Sequence, residues 1–208
     1  MAALTGVRFR TESTPATDST SDLNMVGNLA NNTSVTSVVV DDGTDFTAGQ
    51  NIKMNSEEMH ISSISSNTLT VVRAVNGTSV GTHNDNVSIL EDTSPTYTPS
   101  RNPDMDVTFA TDYNGITTTQ AYGGKVYTNE RYGKQLRWEL NYTNLSSADR
   151  DILEALWNAV KGRKTSFYFS PDNGTTFYNV RFEDDELEFD QTTYNIYSTS
   201  LVLMQEVS

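Results

Sequence analysis

One segment of this chain, residues 146–162, has the pattern of an amphipathic α-helix, and it limits what the other residues can fold into. Ser146 or Ser147 is suited to cap its N-terminus, and aspartates follow in the first turn, where the helix dipole favours carboxylates. Its large apolar residues recur at helical spacing: Ile152, Leu153, Leu156, Trp157 and Val160. Gly162 is predicted to make the left-handed stop. Because this helix has a single apolar face, it needs a sheet to cover it.

The other segments predict strands rather than helices. Threonine, serine, asparagine and aromatic residues are abundant, which is typical of antiparallel sheets with polar turns. Alternating apolar and polar side chains predict strands at 7–10, 35–40, 51–54, 58–62, 67–75, 87–90, 107–111, 135–143, 165–169, 176–183, 186–190 and 194–206. Asp184 and Asp185 are predicted to turn a hairpin, and residues 113–130 to form a long loop or another hairpin. The predicted fold class is α+β and mainly β: an antiparallel β-sandwich with one packed helix (146–162) and a small inserted all-β unit.

Changes in composition divide the chain into three predicted parts. Residues 1–33 comprise a short strand and an extended arm, which is too poor in apolar residues to fold by itself and is expected to order against a neighbouring subunit. Residues 34–92 have short strands and glycine or asparagine turns, and they predict a small inserted barrel or sandwich. A proline-rich linker, 93–106, then opens the main domain, which spans 93–208 together with the first strand.

The composition excludes several classes of protein. The 208 residues include no cysteine, which rules out disulfides, thiol catalysis and thiolate metal sites. No apolar run is long enough to span a membrane, and the N-terminus lacks the apolar core of a signal peptide, so we expect neither membrane insertion nor export by that route. The net charge of −13 argues against binding nucleic acid through its phosphates. Such acidity serves either solubility or a functional acidic surface.

Two acidic clusters are the places to look for chemistry. The first, Asp41, Asp42 and Asp45, resembles a fragment of a calcium loop, but its spacing differs from an EF-hand and favours a turn with Asx side chains. The second places six carboxylates in eight residues: Glu183, Asp184, Asp185, Glu186, Glu188 and Asp190. Paired carboxylates serve glycoside hydrolysis only when one is buried with a raised pKa, whereas these are predicted to be solvated at a hairpin tip. The alternative interpretation is a charged surface that several copies present together, which repels nucleic acid or meets a basic partner.

No residue is predicted to carry catalysis, bind a cofactor or ligate a metal. His60 and His83 are the only histidines, and neither has a partner at a ligand spacing such as HxxxH. The sequence also has no glycine-rich phosphate loop, no GxSxG elbow and no nucleophile–base signature. We therefore predict that the chain is not an enzyme and uses no cofactor.

Residues 130–206 combine features that resemble two families of phage tail-tip proteins. An ERYG run at 130–133 precedes an aromatic alternating strand, and the helix follows a polar turn. The phrase GRKTSFYFSPDNG at 162–174 gives basic residues, an aromatic strand and a proline turn, and a long strand closes the chain. In these features the chain resembles the siphophage distal tail protein and the lambda-type minor tail protein M. Residues 34–92 resemble another recurrent module of tail proteins.

The resemblance implies a tail-tube-like β-sandwich whose copies form a ring, usually of six, at the distal end of a phage tail. Such a ring joins the tail tube protein to the baseplate hub or tip protein, with the tape-measure protein as a further candidate partner, and DNA passes through its lumen without specific binding. It implies a structural protein of the virion, assembled in the host cytoplasm. Threefold symmetry and a place in a myophage baseplate are the open alternatives. The 114–130 segment and the N-terminal arm are expected to contact neighbouring subunits.

A carbohydrate-binding or receptor-adhesion module is the second functional hypothesis. Tyrosines in the loop-rich 93–133 region could stack on sugar faces: Tyr97, Tyr113, Tyr122, Tyr127 and Tyr132. Trp138 and Trp157, in contrast, lie on apolar faces and are predicted to belong to the core. A ring of copies would support the first hypothesis, and a monomer that binds glycans would support the second.

Overall fold

The computed structural model of the chain describes residues 4–104, 108–112, 116–130 and 133–206. Its helices and strands are, in chain order, β1 Arg8–Arg10, β2 Thr17–Asp18, β3 Ser37–Val39, β4 Asn51–Met54, β5 Glu57–Ser65, β6 Thr68–Val72, β7 Leu90–Glu91, α1 Ser94–Tyr97, β8 Thr108–Asp112, β9 Ile116–Gln120, β10 Val126–Glu130, β11 Gln135–Ser146, α2 Ser147–Val160, β12 Phe167–Ser170, β13 Tyr178–Phe182, β14 Asp190–Thr193 and β15 Ile196–Gln205. The strands pair antiparallel, and strand residues far outnumber helical ones. The predicted α+β, mainly β fold class is confirmed.

Seven strands form the larger sheet, in the order β1-β12-β13-β15-β11-β8, with β14 also paired to β15. The long strands β11 and β15 lie side by side, and alternate residues of β11, including Trp138 and Leu140, are buried on one face. Helix α2 packs Leu153, Leu156 and Val160 into the same apolar cluster. The predicted packing of the helix on an aromatic strand is therefore confirmed.

Helix α2 agrees with its predicted start and differs slightly at its end. Ser146 is the N-cap, and its Oγ accepts a hydrogen bond from the backbone N–H of Asp149 at 3.1 Å. At the other end Lys161, with φ at 57°, is the first left-handed residue, so the prediction that Gly162 makes the stop is wrong by one position. Gly162 is also left-handed, and a Cβ there would lie 2.9 Å from the Trp157 ring. The chain thus needs two consecutive left-handed residues to turn under that ring.

Six strands form a second sheet, in the order β2-β7-β4-β5-β6-β3. Strands β2 and β3 are the two edges of this sheet. Leu23, five residues after β2, forms an antiparallel bridge with Val40, the residue that follows β3. The two edges therefore curl toward each other as in a small barrel. The inside of the curl holds a second apolar cluster: Leu23, Leu29, Val38, Val40, Phe46, Ile52, Met54, Met59, Ile61, Leu69, Val71 and Ile89. The chain therefore has two hydrophobic cores.

The N-terminal arm differs from its prediction. In the structure β2 pairs with β7, and Leu23 and Leu29 are completely buried in the second core. The low apolar content of the arm predicted that it would not pack. Two well-placed leucines are enough to anchor it, because Leu23 and Leu29 fill the open side of the curled sheet. The predicted boundary at residue 34 consequently lies inside the smaller unit. Residues 17–29 pack within their own chain and do not need a neighbouring subunit to become ordered.

The predicted hairpin across Asp184 and Asp185 is wrong. Strand β13 pairs with β12 and β15, whereas β14 pairs with β15, and a loop without strand structure connects them. The reason is the length of β15: its residues Leu203–Gln205 pair with β13, and Ile196–Ser198 pair with β14. The two strands follow one another along a shared partner instead of pairing together.

Part of the segment predicted as a linker, 93–106, covers the edge of the larger sheet at β1: the contacts come from residues 93–102. Alternate backbone N–H groups donate away from the sheet: Val7 to Asn102 Oδ1 at 3.1 Å, Phe9 to Thr98 Oγ1 at 3.1 Å and Thr11 to Thr93 Oγ1 at 3.2 Å. An open strand edge invites pairing with another chain. These three side chains occupy the donors that such a pairing would use.

Strands β9 and β10 form a hairpin outside both sheets. Ile116 pairs with Glu130, Gln120 pairs with Val126, and the turn closes where the Gly124 N–H donates to the Ala121 carbonyl at 2.9 Å. The hairpin lies in the chain between β8 and β11, which themselves pair. The β9–β10 and β8–β11 pairings differ in register by one residue. Residues 116–130 thus satisfy the hairpin alternative of the 113–130 prediction.

Candidate functional site

The β9–β10 hairpin is the most concentrated exposed apolar surface in the described parts of the chain. Tyr122 at its tip is fully exposed, and Ile116, Val126 and Tyr127 are each at least half exposed. These are four of the seven large apolar side chains that are exposed in the described residues. The single charge between residues 116 and 129 is Lys125, whose ammonium lies 5.2 Å from the centroid of the Tyr127 ring. Because an isolated two-stranded hairpin has little stability in water, this surface is typical of a contact with another chain.

An aromatic groove, called here the Trp157 groove, lies along the outer side of α2. It encloses about 460 Å³, and it is lined by Arg150, Glu154, Trp157, Asn158, Leu187, Phe189 and Tyr197. Its four apolar side chains are half-buried, and Trp157 also stacks on Phe182 with the ring centroids 4.8 Å apart. The Arg150 guanidinium lies 4.8 Å from the centre of the Tyr197 ring and pairs with Asp151. The prediction that Trp157 belongs to the core is thus only half right, because its ring is shared between the core and the groove.

The acidic run 183–190 covers the loop between β13 and β14 and the first residue of β14. Leu187 and Phe189 point toward the larger core, while the carboxylates of this loop line an open cleft of about 780 Å³ on its other side. Glu183 pairs with Arg137 at 2.5 Å, and Asp185 lies 3.6 Å from Arg163. Within the described residues the other four carboxylates form no ion pair, and all four are exposed. Solvated carboxylates of this kind lack the burial that a general acid in glycoside hydrolysis requires.

The junction between the two cores is built on a buried cation. The side chain of Arg10, 1% exposed, donates from Nη1 to Glu58 Oε1 at 2.7 Å and lies 3.4 Å from Asp92 Oδ2. Its guanidinium carbon lies 3.8 Å from the centroid of the Phe177 ring. Burial raises the pKa of Asp92 to about 6, against the opposing effects of hydrogen bonds from Ser94 and the charge of Arg10. Arg10 belongs to the larger sheet and both carboxylates to the smaller unit, so this ion pair joins them.

Asparagine side chains complete the same junction. Asn51 Nδ2 donates both to Glu58 Oε1 at 2.9 Å and to the Gly174 carbonyl at 2.8 Å. Asn76 Nδ2 also donates to Glu58 Oε1, at 2.6 Å, and its Oδ1 accepts from the Phe177 N–H at 3.0 Å. Each asparagine therefore bonds to both units at once. We call this set, Arg10, Asn51, Glu58, Asn76 and Asp92, the junction cluster.

Both histidines have structural partners. His60 Nδ1 lies 2.9 Å from Asn51 Oδ1, and burial, reinforced by the charge of Arg8, lowers the pKa of His60 to about 4. His83 Nε2 lies 2.8 Å from Glu57 Oε2, and the carboxylate of Glu57 is also held by Arg73 at 2.6 Å. The Glu57–Arg73–His83 group sits inside the smaller unit and is buried. No nucleophilic side chain is among its partners in the described residues, and its geometry fits a satisfied buried charge.

The aspartates of the DDGTD loop form a turn. Asp42 Oδ1 accepts from the N–H of Thr44 at 2.9 Å and from its hydroxyl at 2.7 Å, and these bonds lower the pKa of Asp42. Asp41 and Asp45 accept hydrogen bonds from Asn24 and Thr20 instead of converging. Among residues 4–104, 108–112, 116–130 and 133–206, no three His, Asp or Glu side chains are grouped so that they could hold a metal ion.

The tyrosines of the carbohydrate hypothesis separate into three groups. Tyr122 and Tyr127 are exposed on the hairpin, and Tyr97 is half-buried against the larger core. Tyr113 and Tyr132 lie outside the described residues. Trp138 is 3% exposed and packs edge-on against Phe169, which confirms its assignment to the core.

Sequence reasoning missed the junction cluster and the Trp157 groove. No local signal marks the junction cluster, because strand alternation places Arg10 and Glu58 on the faces opposite Phe9 and Met59. No local signal marks the groove either, because its α2 residues lie at least 29 positions before those that the loop and β15 contribute.

Comparisons with known proteins leave the tail-tip resemblance as a prediction. No protein-family model matches the chain, and no curated protein or solved structure is significantly similar to it. Within the described residues, neither helix has the length and apolar character needed to cross a membrane.

Proposed function

We propose that this chain is a structural protein of a phage tail tip, where its copies form a ring, usually of six, between the tail tube and the hub or tip protein. The observation that carries the proposal is the β9–β10 hairpin, whose exposed apolar side chains are unused within the chain. A protein that acts by assembly needs such a surface, because exposed apolar patches mark sites of contact with other molecules.

The charge of the chain supports the rest of the proposal. A ring through which DNA passes must not hold the phosphates, and a net charge of −13 repels them. Four unpaired carboxylates in the 183–190 loop would add a negative surface wherever that loop faces the lumen. In this proposal the protein resides in the virion and is assembled in the host cytoplasm, with the tape-measure protein as a further candidate partner.

The test is to locate the protein in particles. Phage from a lysate would be labelled with antibody against the purified chain and viewed by electron microscopy, with pre-immune serum as the control. We expect label at the distal end of the tail and, in negative-stain images of the purified chain, rings of about six copies. Particles that lack the protein in both labelling and mass spectrometry would contradict the proposal.

A carbohydrate-binding module is the second candidate, favoured by the full exposure of Tyr122 and the half exposure of Tyr127. Exposed aromatic rings stack on the apolar faces of sugars. A glycan array with the wild-type chain and a Tyr122→Ser variant separates the two candidates. Binding that depends on Tyr122, from a protein that stays monomeric, would favour the second.

A further inference from the structure

We propose that the tip of the β9–β10 hairpin of one copy inserts into the Trp157 groove of a second copy. The inference rests on the proposed function in one respect, that copies of the chain associate, and adds the two surfaces that meet.

The hairpin tip has the shape and chemistry of an inserting element. The turn of the hairpin runs from Ala121 to Gly124. Tyr122 lies within this turn and Lys125 directly after it, so both side chains lie at the tip of the hairpin. All the described side chains from 116 to 129 are exposed, so no part of the same chain covers them. A tyrosine ring beside a lysine stem combines a large apolar contact with one positive charge.

The Trp157 groove has the complementary features. Its volume of about 460 Å³ suits one aromatic side chain with an aliphatic stem beside it, and four half-buried apolar residues form its walls. Glu154 on its rim is exposed and forms no ion pair within the described residues.

Charge complementarity selects a second copy as the occupant. The tip bears one positive charge and no negative one between residues 116 and 129, although the chain as a whole carries −13. The groove meets it with the carboxylate of Glu154, while its one cation, Arg150, is already held by Asp151 and the Tyr197 ring. The positively charged apolar tip thus fits an aromatic groove of the same chain whose one charge without an ion pair, among the described residues, is negative.

The two surfaces are different patches, so the contact is head-to-tail. A contact of this kind gives a ring when the rotation between copies closes and a filament when it does not. The edge of the larger sheet at β1 takes no part, because Thr93, Thr98 and Asn102 already occupy its outward N–H donors. Each copy therefore has one surface that inserts, the hairpin tip, and one that receives it, the Trp157 groove.

Sedimentation velocity of the full chain over a range of concentrations tests the contact. We expect Tyr122→Ser to raise the dissociation constant roughly tenfold or more, as expected of an aromatic anchor in a pocket. The matched control is Tyr194→Ser, which removes an 85% exposed tyrosine from a different loop and should leave association unchanged. Far-UV circular dichroism would verify that each variant is folded.

Charge reversal gives a sharper test. Lys125→Glu and Glu154→Lys should each weaken self-association, and the double variant in one chain should restore it. A mixture of the two single variants should associate with the two kinds of copy in alternation, because each hairpin then meets a groove of opposite charge only on the other variant. Misfolding of the single variants could not produce this recovery of association in the double variant or in the mixture.

Three results would overturn the inference: a wild-type chain that stays monomeric, a Tyr122→Ser variant that associates normally, or a mixture of the two charge variants that stays monomeric. A Tyr122→Ser variant that associates normally but loses binding to a glycan array would assign the tip to sugar recognition instead. If the copies form rings that tolerate every variant, the docking site is wrong while the ring proposal stands. If particles lack the protein but the variants behave as expected, the tail function is wrong while the docking stands.

Discussion

At the scale of single residues, the stability of this protein depends on a few buried charges. Arg10, Glu58 and Asp92 are all at least 95% buried, and they lie where two units meet rather than inside one core. Removing two charges from water is costly unless each gains close partners. Glu58 has them in Arg10 and two asparagines, whereas Arg10 keeps one buried atom, Nε, without a hydrogen-bond partner.

Replacing Arg10 by methionine should lower the free energy of unfolding by about 3–5 kcal/mol, because two carboxylates would remain buried without their cation. Urea denaturation followed by circular dichroism measures this. The matched control is Arg101→Ala, which removes an arginine that is 43% exposed and pairs with Asp104 at 3.0 Å. That change should cost less than about 1 kcal/mol. Equal effects of the two variants would show that the Arg10 cluster contributes no more than a surface pair.

Asp92 of the junction cluster and His60, which contacts Asn51 of that cluster, should make the stability of the protein depend on pH in opposite directions. The pKa of Asp92 is raised from 3.8 to about 6, so its contribution is full below pH 3.8 and lost as the pH rises through 6. The pKa of His60 is lowered from 6.5 to about 4, so its contribution is full above pH 6.5 and lost as the pH falls through 4. Between pH 4 and 6 the two effects oppose each other.

The Asp92→Asn and His60→Gln variants separate these contributions. We expect the stability of Asp92→Asn to fall from pH 6.5 to 4 more steeply than that of the wild type, by about 1–3 kcal/mol over the interval. His60→Gln should show the reverse, with stability that rises as the pH falls. Urea midpoints at half-unit steps of pH give the slopes. Parallel curves for all three proteins would contradict both assignments.

At the scale of elements, helix α2 is held by its two ends and one apolar stripe. Ser146 caps the start, and the chain leaves through Lys161 and Gly162, both left-handed. The two positions differ in what surrounds them: a Cβ at Gly162 would meet the Trp157 ring, while Lys161 is exposed. They form a natural pair for testing how the helix ends.

Gly162→Ala should destabilise the protein by about 1–2 kcal/mol, because alanine is strained at this φ and its methyl group would displace the Trp157 ring. Lys161→Gly should instead be neutral or stabilising by up to about 1 kcal/mol, since glycine adopts the left-handed conformation without strain. Thermal unfolding of both variants provides the comparison. A stable Gly162→Ala protein would mean that Trp157 moves into its groove at no cost.

At the scale of the whole molecule, the junction cluster joins the two cores. Both tryptophans lie in the larger unit, and residues 11–92 contain neither tryptophan nor tyrosine. Tryptophan fluorescence therefore reports on the larger core alone, while the methyl signals of Met54 and Met59 report on the smaller one. The two probes can follow the cores separately in a single sample.

We expect the two probes to give the same urea midpoint in the wild type, because the ion pair and asparagine bonds couple the units. In the Arg10→Met variant the methionine signals should change at a lower urea concentration than the fluorescence, since the smaller unit is near the size limit for independent folding. Coincident midpoints in the variant would mean that Arg10 does not couple the cores. Separate midpoints in the wild type would mean that no coupling exists.

The sequence by itself determined those elements whose pattern can be read from residues a few positions apart. Helix α2, its serine cap, the alternating strand β11 and the mainly β class follow from periodicity and capping chemistry, which involve residues a few positions apart. Trp138 was assigned to the core for the same reason. The tail-tip function was also inferred at this level, and it stays a proposal.

Only the tertiary structure decided which segments meet. Leu23 and Leu29 belong to a core because the curled sheet leaves room for them, and the acidic run is a loop because β15 is long enough to pair with both flanking strands. The junction around Arg10 and the groove beside Trp157 join residues far apart in the chain. Their chemistry depends on burial and distance, which spacing along a sequence does not encode.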